Sequence, residues 1–292
     1  MNSWVIIQTV INGLLLGGVY ALVGIGITLV FGVMKIVNFA AGAYLVWGMY
    51  FTHIWHRVTG WEAYALIPLV LVSMIIFGYI TFKLTIRQVL GSDFTTFILI
   101  TVGLSFFLQN LSEVVFGTQP LSVPSSIALS SLRVGPYFIA WPRLLAFGAM
   151  LAIVAGLGIL LTKTILGRAM RATAENAEVS QMLGINTEKT FTVAFLIGIT
   201  MAGISGLLVT PLFFVSAGVA ETFRLAPLVA VVLGGLGSIK GALVGGMLVG
   251  VIEALVSTMI SADIGVAAIC VLFLIVVYLF PHGLFGKGAR KA

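Results

Sequence analysis

The chain alternates long apolar runs with short polar connections, and this rhythm limits what it can fold into more than any other feature. A helix rises 1.5 Å per residue, so about 20 apolar residues cross the roughly 30 Å hydrocarbon core of a bilayer. Candidate segments lie at 8–31, 36–55, 63–82, 94–116, 142–162, 190–210, 225–236, 241–259 and 265–280. The stretch 225–236, between Arg224 and the turn Gly234-Gly235-Leu236-Gly237-Ser238, is short for a full span and predicts a half-helix or a tilted, broken segment. Charged residues make up 8% of the 292, against roughly 25% in soluble domains, too few to coat a water-facing surface. The expected fold is therefore an all-α polytopic membrane protein with eight or nine transmembrane segments. No polar stretch is large enough to be a second domain, so residues 1–292 form one membrane domain.

Lysine and arginine favour the cytoplasmic side of a membrane. One alternating set of connections holds Lys35, Lys83, Arg87, Lys163, Arg168, Arg171, Lys189, Lys240, Lys287, Arg290 and Lys291; the other holds Arg57, Arg133, Arg143 and Arg224. The first set is expected inside, which with nine crossings puts the N-terminus outside and the C-terminus inside. Scattered in this way, the net charge of +6 forms no tract of the kind that binds nucleic acid. The opening MNSWVIIQTV lacks a basic leader region and reads as the start of a first span, not a removed signal peptide. Residues 117–141, rich in Ser, Pro and Gly, predict an outer cap, small helix or hairpin.

Polar groups inside the apolar runs are few. His53, His56 and His282 sit at loop edges without metal-ligand spacing, Cys270 is isolated, and no set of catalytic groups converges. Neither a metal site nor a catalytic site is expected. Glu253 falls midway through its segment, where an ionised carboxylate costs about 3 kcal/mol; it should pair with another helix or line a solute path. Asn38 stands beside a proposed break and is the neutral counterpart candidate for that path. The 34 glycines recur in stripes suited to close helix packing in lipid. Gly32, Gly42, Gly235 and Gly237 are assigned instead to hinges or helix breaks. An offset of 203 residues aligns Gly32 with Gly235 and Gly42 with Gly245, which suggests an internal duplication with discontinuous helices near the transport site.

The connection 163–189 has a helical centre over about 166–182 and a stop at Gly184. A short surface helix presenting Ala172, Thr173, Asn176 and Met182 could fill a groove on a soluble partner.

Four pieces together resemble a known group. These are Gly18-Val19-Tyr20-Ala21-Leu22 leading to Phe31-Gly32-Val33-Met34-Lys35-Ile36-Val37-Asn38-Phe39-Ala40; Gly167-Arg168-Ala169-Met170-Arg171-Ala172-Thr173-Ala174-Glu175-Asn176 through Met182-Leu183-Gly184-Ile185-Asn186; Val232 to Ala242; and Pro281-His282-Gly283-Leu284-Phe285-Gly286. In this order they resemble the branched-chain amino acid ABC transporter permeases of the LivH type, and the related amide and urea permeases. The resemblance implies a subunit of an ATP-driven importer in a bacterial inner membrane. It would work with a related second permease, two cytoplasmic ATPases and an extracytoplasmic solute-binding protein, and would pass a small polar or amphipathic solute. It also implies that 163–189 is the ATPase coupling loop, with Ala172, Glu175, Asn176 and Gly184 as its contact residues. The chain has no phosphate-binding loop ending in Gly-Lys-Ser or Gly-Lys-Thr, so it should bind no cofactor, and ATP would be used by the partner subunits. Where the family usually has His after Asn-Phe-Ala, this sequence has Ala41. An ion-coupled secondary transporter is the competing class.

Overall fold

The computed structural model describes residues 3–127, 130–280 and 283–285. Among the described residues nine helices of 16 or more residues carry the apolar segments: α1 (Ser3–Met34), α2 (Ala41–Thr59), α3 (Ile67–Leu84), α4 (Phe94–Phe116), α5 (Trp141–Lys163), α8 (Thr187–Val209), α9 (Val219–Gly234), α10 (Ile239–Met259) and α11 (Ala262–Leu279). Between α5 and α8 lie two short helices, α6 (Ile165–Glu175) and α7 (Ala177–Met182). Ahead of α5, β1 (Ser131–Val134) and β2 (Tyr137–Ala140) make an antiparallel hairpin with Ser131 opposite Ala140. This hairpin is one of the forms expected for 117–141.

The nine helices match the nine apolar segments. Six of the apolar helical stretches are long and apolar enough to cross a membrane; α2, α9 and α11 fall outside that set. The connections nevertheless sort to two opposite ends. At one end Arg87 pairs with Glu188 at 2.6 Å, and Lys35, α6 and the turn 236–239 share a cavity. At the other, Gln8 bonds both backbone groups of Phe138, Glu62 accepts from Ser125 and Ser126, and Leu121 bridges to Val215. These are called below the basic end and the hairpin end. The short α9 runs between them: its entry at Val215 meets Leu121, and its exit joins the basic-end cavity. It begins earlier than expected, at Val219, because Arg224 is paired with Glu221 one turn before it and so does not stop the helix.

Close backbone approach organises the packing, as expected where lipid offers no hydrophobic drive between helices. A Cβ on Gly26 would lie 2.5 Å from the Gly198 carbonyl oxygen, and one on Gly17 2.7 Å from that of Gly246. Gly48 abuts the Gly203 carbonyl, and Gly234 abuts Gly241. Helix α1 packs on α8, α9 and α10, while α8 packs on α1, α2 and α3; α4 lies against α2 as α11 lies against α9. The 203-residue offset, which would set α1–α2 against α9–α10, is not the register the packing follows: α9 and α10 form a tight antiparallel pair, whereas α1 and α2 scarcely touch.

Two assigned hinges also move. Gly32 is inside the last turn of α1 and Gly42 inside the first turn of α2. The break falls between them, over Lys35–Ala40. Lys35 takes φ 59° and donates its N–H to the Phe31 carbonyl at 2.8 Å, a left-handed stop made without glycine. Gly42 instead lets α2 touch α9, since a Cβ there would lie 2.5 Å from the Ala220 oxygen. Gly235 (φ 96°) and Gly237 (φ 89°) do occupy the turn between α9 and α10, where backbone conformation favours glycine.

Candidate functional site

Helix α1 outruns the membrane thickness, and its last turns reach the basic end. There Thr28, Leu29, Gly32 and Val33 form one wall of a cavity of about 610 Å³. Helix α6 forms the opposite wall with Met170, Arg171, Ala174 and Glu175, and the 236–239 turn and Phe285 close the sides. Each wall has a local cause. The α5–α6 elbow is held by Thr164, whose hydroxyl accepts from the Gly167 N–H at 3.0 Å, and by the absence of a side chain at Gly167, which abuts the Leu160 and Leu161 carbonyls. The turn is fixed by Ser238, which caps α10 by accepting from the Gly241 N–H at 3.1 Å. Phe285 is placed because the N–H groups of Leu284 and Phe285 donate to the Leu233 and Gly234 carbonyls at 2.8 and 3.1 Å, satisfying the end of α9. Pro281, His282 and Gly286 of the C-terminal motif lie outside the described residues.

Charge in the cavity is mixed. Lys35 and Arg171 supply cations, and Glu175 a carboxylate; none of the three is in an ion pair among the described residues. Arg171 is held in place by donating from Nη1 to the Leu161 carbonyl at 2.6 Å. Thr28, also in the lining, is 1% exposed, and its Oγ1 has no hydrogen-bond partner among the described residues. Other helical threonines, such as Thr52 and Thr210, donate back to the carbonyl four residues earlier, whereas Thr173 in α6 and Thr200 in α8 share the unpartnered state of Thr28.

The candidates from sequence divide accordingly. Gly32, Glu175 and Gly237 meet in this cavity. Asn38 does not line it: buried at 4% exposure, its Oδ1 accepts from the Ala40 N–H at 3.0 Å and closes the break before α2. Thr101 reaches the Val37 carbonyl from α4, so the break leaves these backbone groups satisfied. Glu253 lies elsewhere on α10, its carboxyl beside the Tyr20 hydroxyl of α1, with Oε2 buried and unpartnered among the described residues. Ala172, Asn176 and Gly184 belong to the outer surface of α6–α7. The single helix expected over 166–182 is broken at Asn176, whose side chain accepts from the Val179 N–H at 3.0 Å and starts α7. Gly184 has φ 84° and ends that helix as expected. Thr173, expected on the presented face, is turned inward at 3% exposure, while Val179, Met182 and Leu183 are exposed at 50, 85 and 76%. Sequence reading places Thr28 only among several neutral polar groups able to bond a solute or a neighbouring helix, and it missed Arg171 and Phe285; the one available signal for those two was that both lie in pieces carrying the resemblance.

Glycine-packed helices joining two chemically distinct ends, with a separate surface helix pair at the basic end, define a multi-pass membrane transport subunit. The family model for the branched-chain amino acid transport system permease component matches residues 9–279. The chain is 28% identical to the high-affinity branched-chain amino acid transport system permease protein BraD of Pseudomonas aeruginosa, over 96% of each. It is 29% identical to LivH of Escherichia coli over 96% of each, and 26% identical to a probable LivH of Methanocaldococcus jannaschii over 92% of this chain and 89% of the relative. No solved structure matches. The chain belongs to the branched-chain amino acid ABC permease family and is a permease subunit, a transport component that is not in itself an enzyme.

Proposed function

We propose that this chain is one transmembrane subunit of an ATP-driven importer, in a bacterial inner membrane, for branched-chain or similar hydrophobic amino acids. The basic end faces the cytoplasm and the hairpin end faces outward, where a solute-binding protein delivers the solute. A related second permease completes the membrane core, and two cytoplasmic ATPases hydrolyse the ATP. The observation that carries this reading is the α6–α7 pair. It projects from the basic end and leaves Val179, Met182 and Leu183 uncovered, an apolar patch of the kind a soluble partner buries. Ala172, Glu175, Asn176 and Gly184 frame that patch as coupling residues.

ATP hydrolysis would move the docked α6–α7 and, through the α5 elbow, bias the helices between two access states. Asn38 and Glu253 act in this scheme by holding the α1–α2 break and the α1–α10 contact, and Gly235 and Gly237 by letting the α9–α10 turn flex. The test is leucine uptake into proteoliposomes with the partner ATPases and binding protein. Met182→Glu should abolish ATPase association and uptake while leaving membrane insertion intact. Normal ATP-driven uptake by that variant overturns the docking surface, and accumulation driven by an ion gradient without any ATPase overturns the importer reading.

A further inference from the structure

We propose that the basic-end cavity is a cytoplasm-facing binding site for an amino-acid zwitterion with an apolar side chain, placed so that its occupant locks α6 against α1. The cavity volume, about 610 Å³, falls inside the range of about 300–1,000 Å³ typical of small-molecule sites. Its lining divides as such a ligand requires. Arg171 and Lys35 suit a carboxylate, Glu175 suits an ammonium, and Leu29, Val33, Leu161, Met170, Leu236 and Ile239 offer an apolar wall. Arg171 arrives already oriented, since the Leu161 carbonyl holds its guanidinium, which reduces the ordering cost of binding.

A buried hydroxyl without a partner is costly. Thr28 carries one in the lining of this cavity, six residues before the end of α1, or about 9 Å back along the helix axis. A ligand polar group reaching that depth would satisfy it. The walls come from α1, α6, the α9–α10 turn and Phe285, so an occupant bridges the membrane body and the helix pair assigned above to the ATPases. A ligand stabilises the arrangement it fits. Solute accumulated inside would thus hold α6 where it stands and slow further import, giving feedback at this subunit.

The identity of the ligand rests on the importer reading; the existence of the site does not. The experiment measures equilibrium binding of radiolabelled leucine to the membrane complex purified through a tag on this chain and held in nanodiscs, without ATP and with unlabelled valine, urea and inorganic phosphate as competitors. Expected is saturable binding displaced by valine and not by phosphate or urea. Arg171→Gln should weaken it roughly tenfold or more, the loss of one charge-assisted contact. Thr28→Val, nearly isosteric, should weaken it by a few fold. Lys35→Gly removes a cation while easing a left-handed backbone, so it keeps the fold and should also weaken binding. Binding that ignores all three variants belongs to another subunit and overturns the inference, as does absence of binding or displacement by phosphate alone. In loaded vesicles, internal leucine should slow uptake by the parent and not by Arg171→Gln. Intact import with no leucine binding overturns this site alone; failure of ATP-driven import with binding retained overturns the importer reading alone.

Discussion

Glu253 and Glu62 show how differently a carboxyl is managed inside and outside the membrane body. The Glu253 carboxyl sits beside a phenol with one oxygen unpartnered, and keeping a charge there would cost about 3 kcal/mol. Glu253→Gln is therefore expected to leave uptake and thermal stability near parental values. Glu253→Ala strands the Tyr20 hydroxyl and should cost about 1–3 kcal/mol, read as a lower melting temperature in detergent; equal effects of the two changes would contradict this. Glu62, at the start of the 3-10 turn before α3, accepts from Ser126 Oγ at 2.6 Å, Ser126 N–H at 3.1 Å and Ser125 Oγ at 2.9 Å. Those bonds hold its carboxyl below the usual glutamate range. A depressed folded value means that stabilisation is present above the unfolded value, near 4.3, and is lost as pH falls through the lower one. Protection of the 121–127 amides, measured against the intrinsic exchange rate at each pH, should fall on acidification across that window, and Glu62→Gln should flatten the dependence.

At the scale of elements, glycine sorts into two kinds that the sequence does not distinguish. Gly48 in α2 abuts the Gly203 carbonyl, whereas a Cβ on Gly103 in α4 would meet nothing within 4 Å. Gly48→Leu should prevent α2 from seating on α8 and abolish monodisperse purification, while Gly103→Leu should be tolerated. Apolar run length made α4 legible to the residue and the other long helices legible to within about six residues, the largest shift being at the start of α9, because a bilayer demands that length of a crossing helix. The break near residue 35 was visible as an interruption, but not its mechanism: Lys35 performs a turn usually given to glycine, and Asn38 caps it locally. The division of 165–182 at Asn176 was equally hidden, since a helical pattern and a helix cap can share one asparagine. Asn176→Ala should merge or fray α6–α7 at a cost of about 1 kcal/mol, seen as reduced ATPase coupling with membrane insertion unchanged.

For the whole molecule, sidedness is the most economical check. In a Cys270→Ser background, a membrane-impermeant maleimide should label Ser126→Cys in intact cells and Glu178→Cys only after permeabilisation; the reverse pattern inverts the proposed orientation. The cavity itself could not be read from the sequence, because its walls come from positions 28–35, 161–175, 236–239 and 285, joined only by the fold. The same long-range logic governs assembly in time. Helix α1 is made ahead of every helix that packs closely on it, and of these α8, α9 and α10 begin only at Thr187, after α5. At about 5–20 residues per second, α1 waits on the order of 8–30 s in lipid before α8 starts, with the glycine face that carries Gly17 and Gly26 still bare. During synthesis this glycine face is a standing invitation to a chaperone or to the wrong helix.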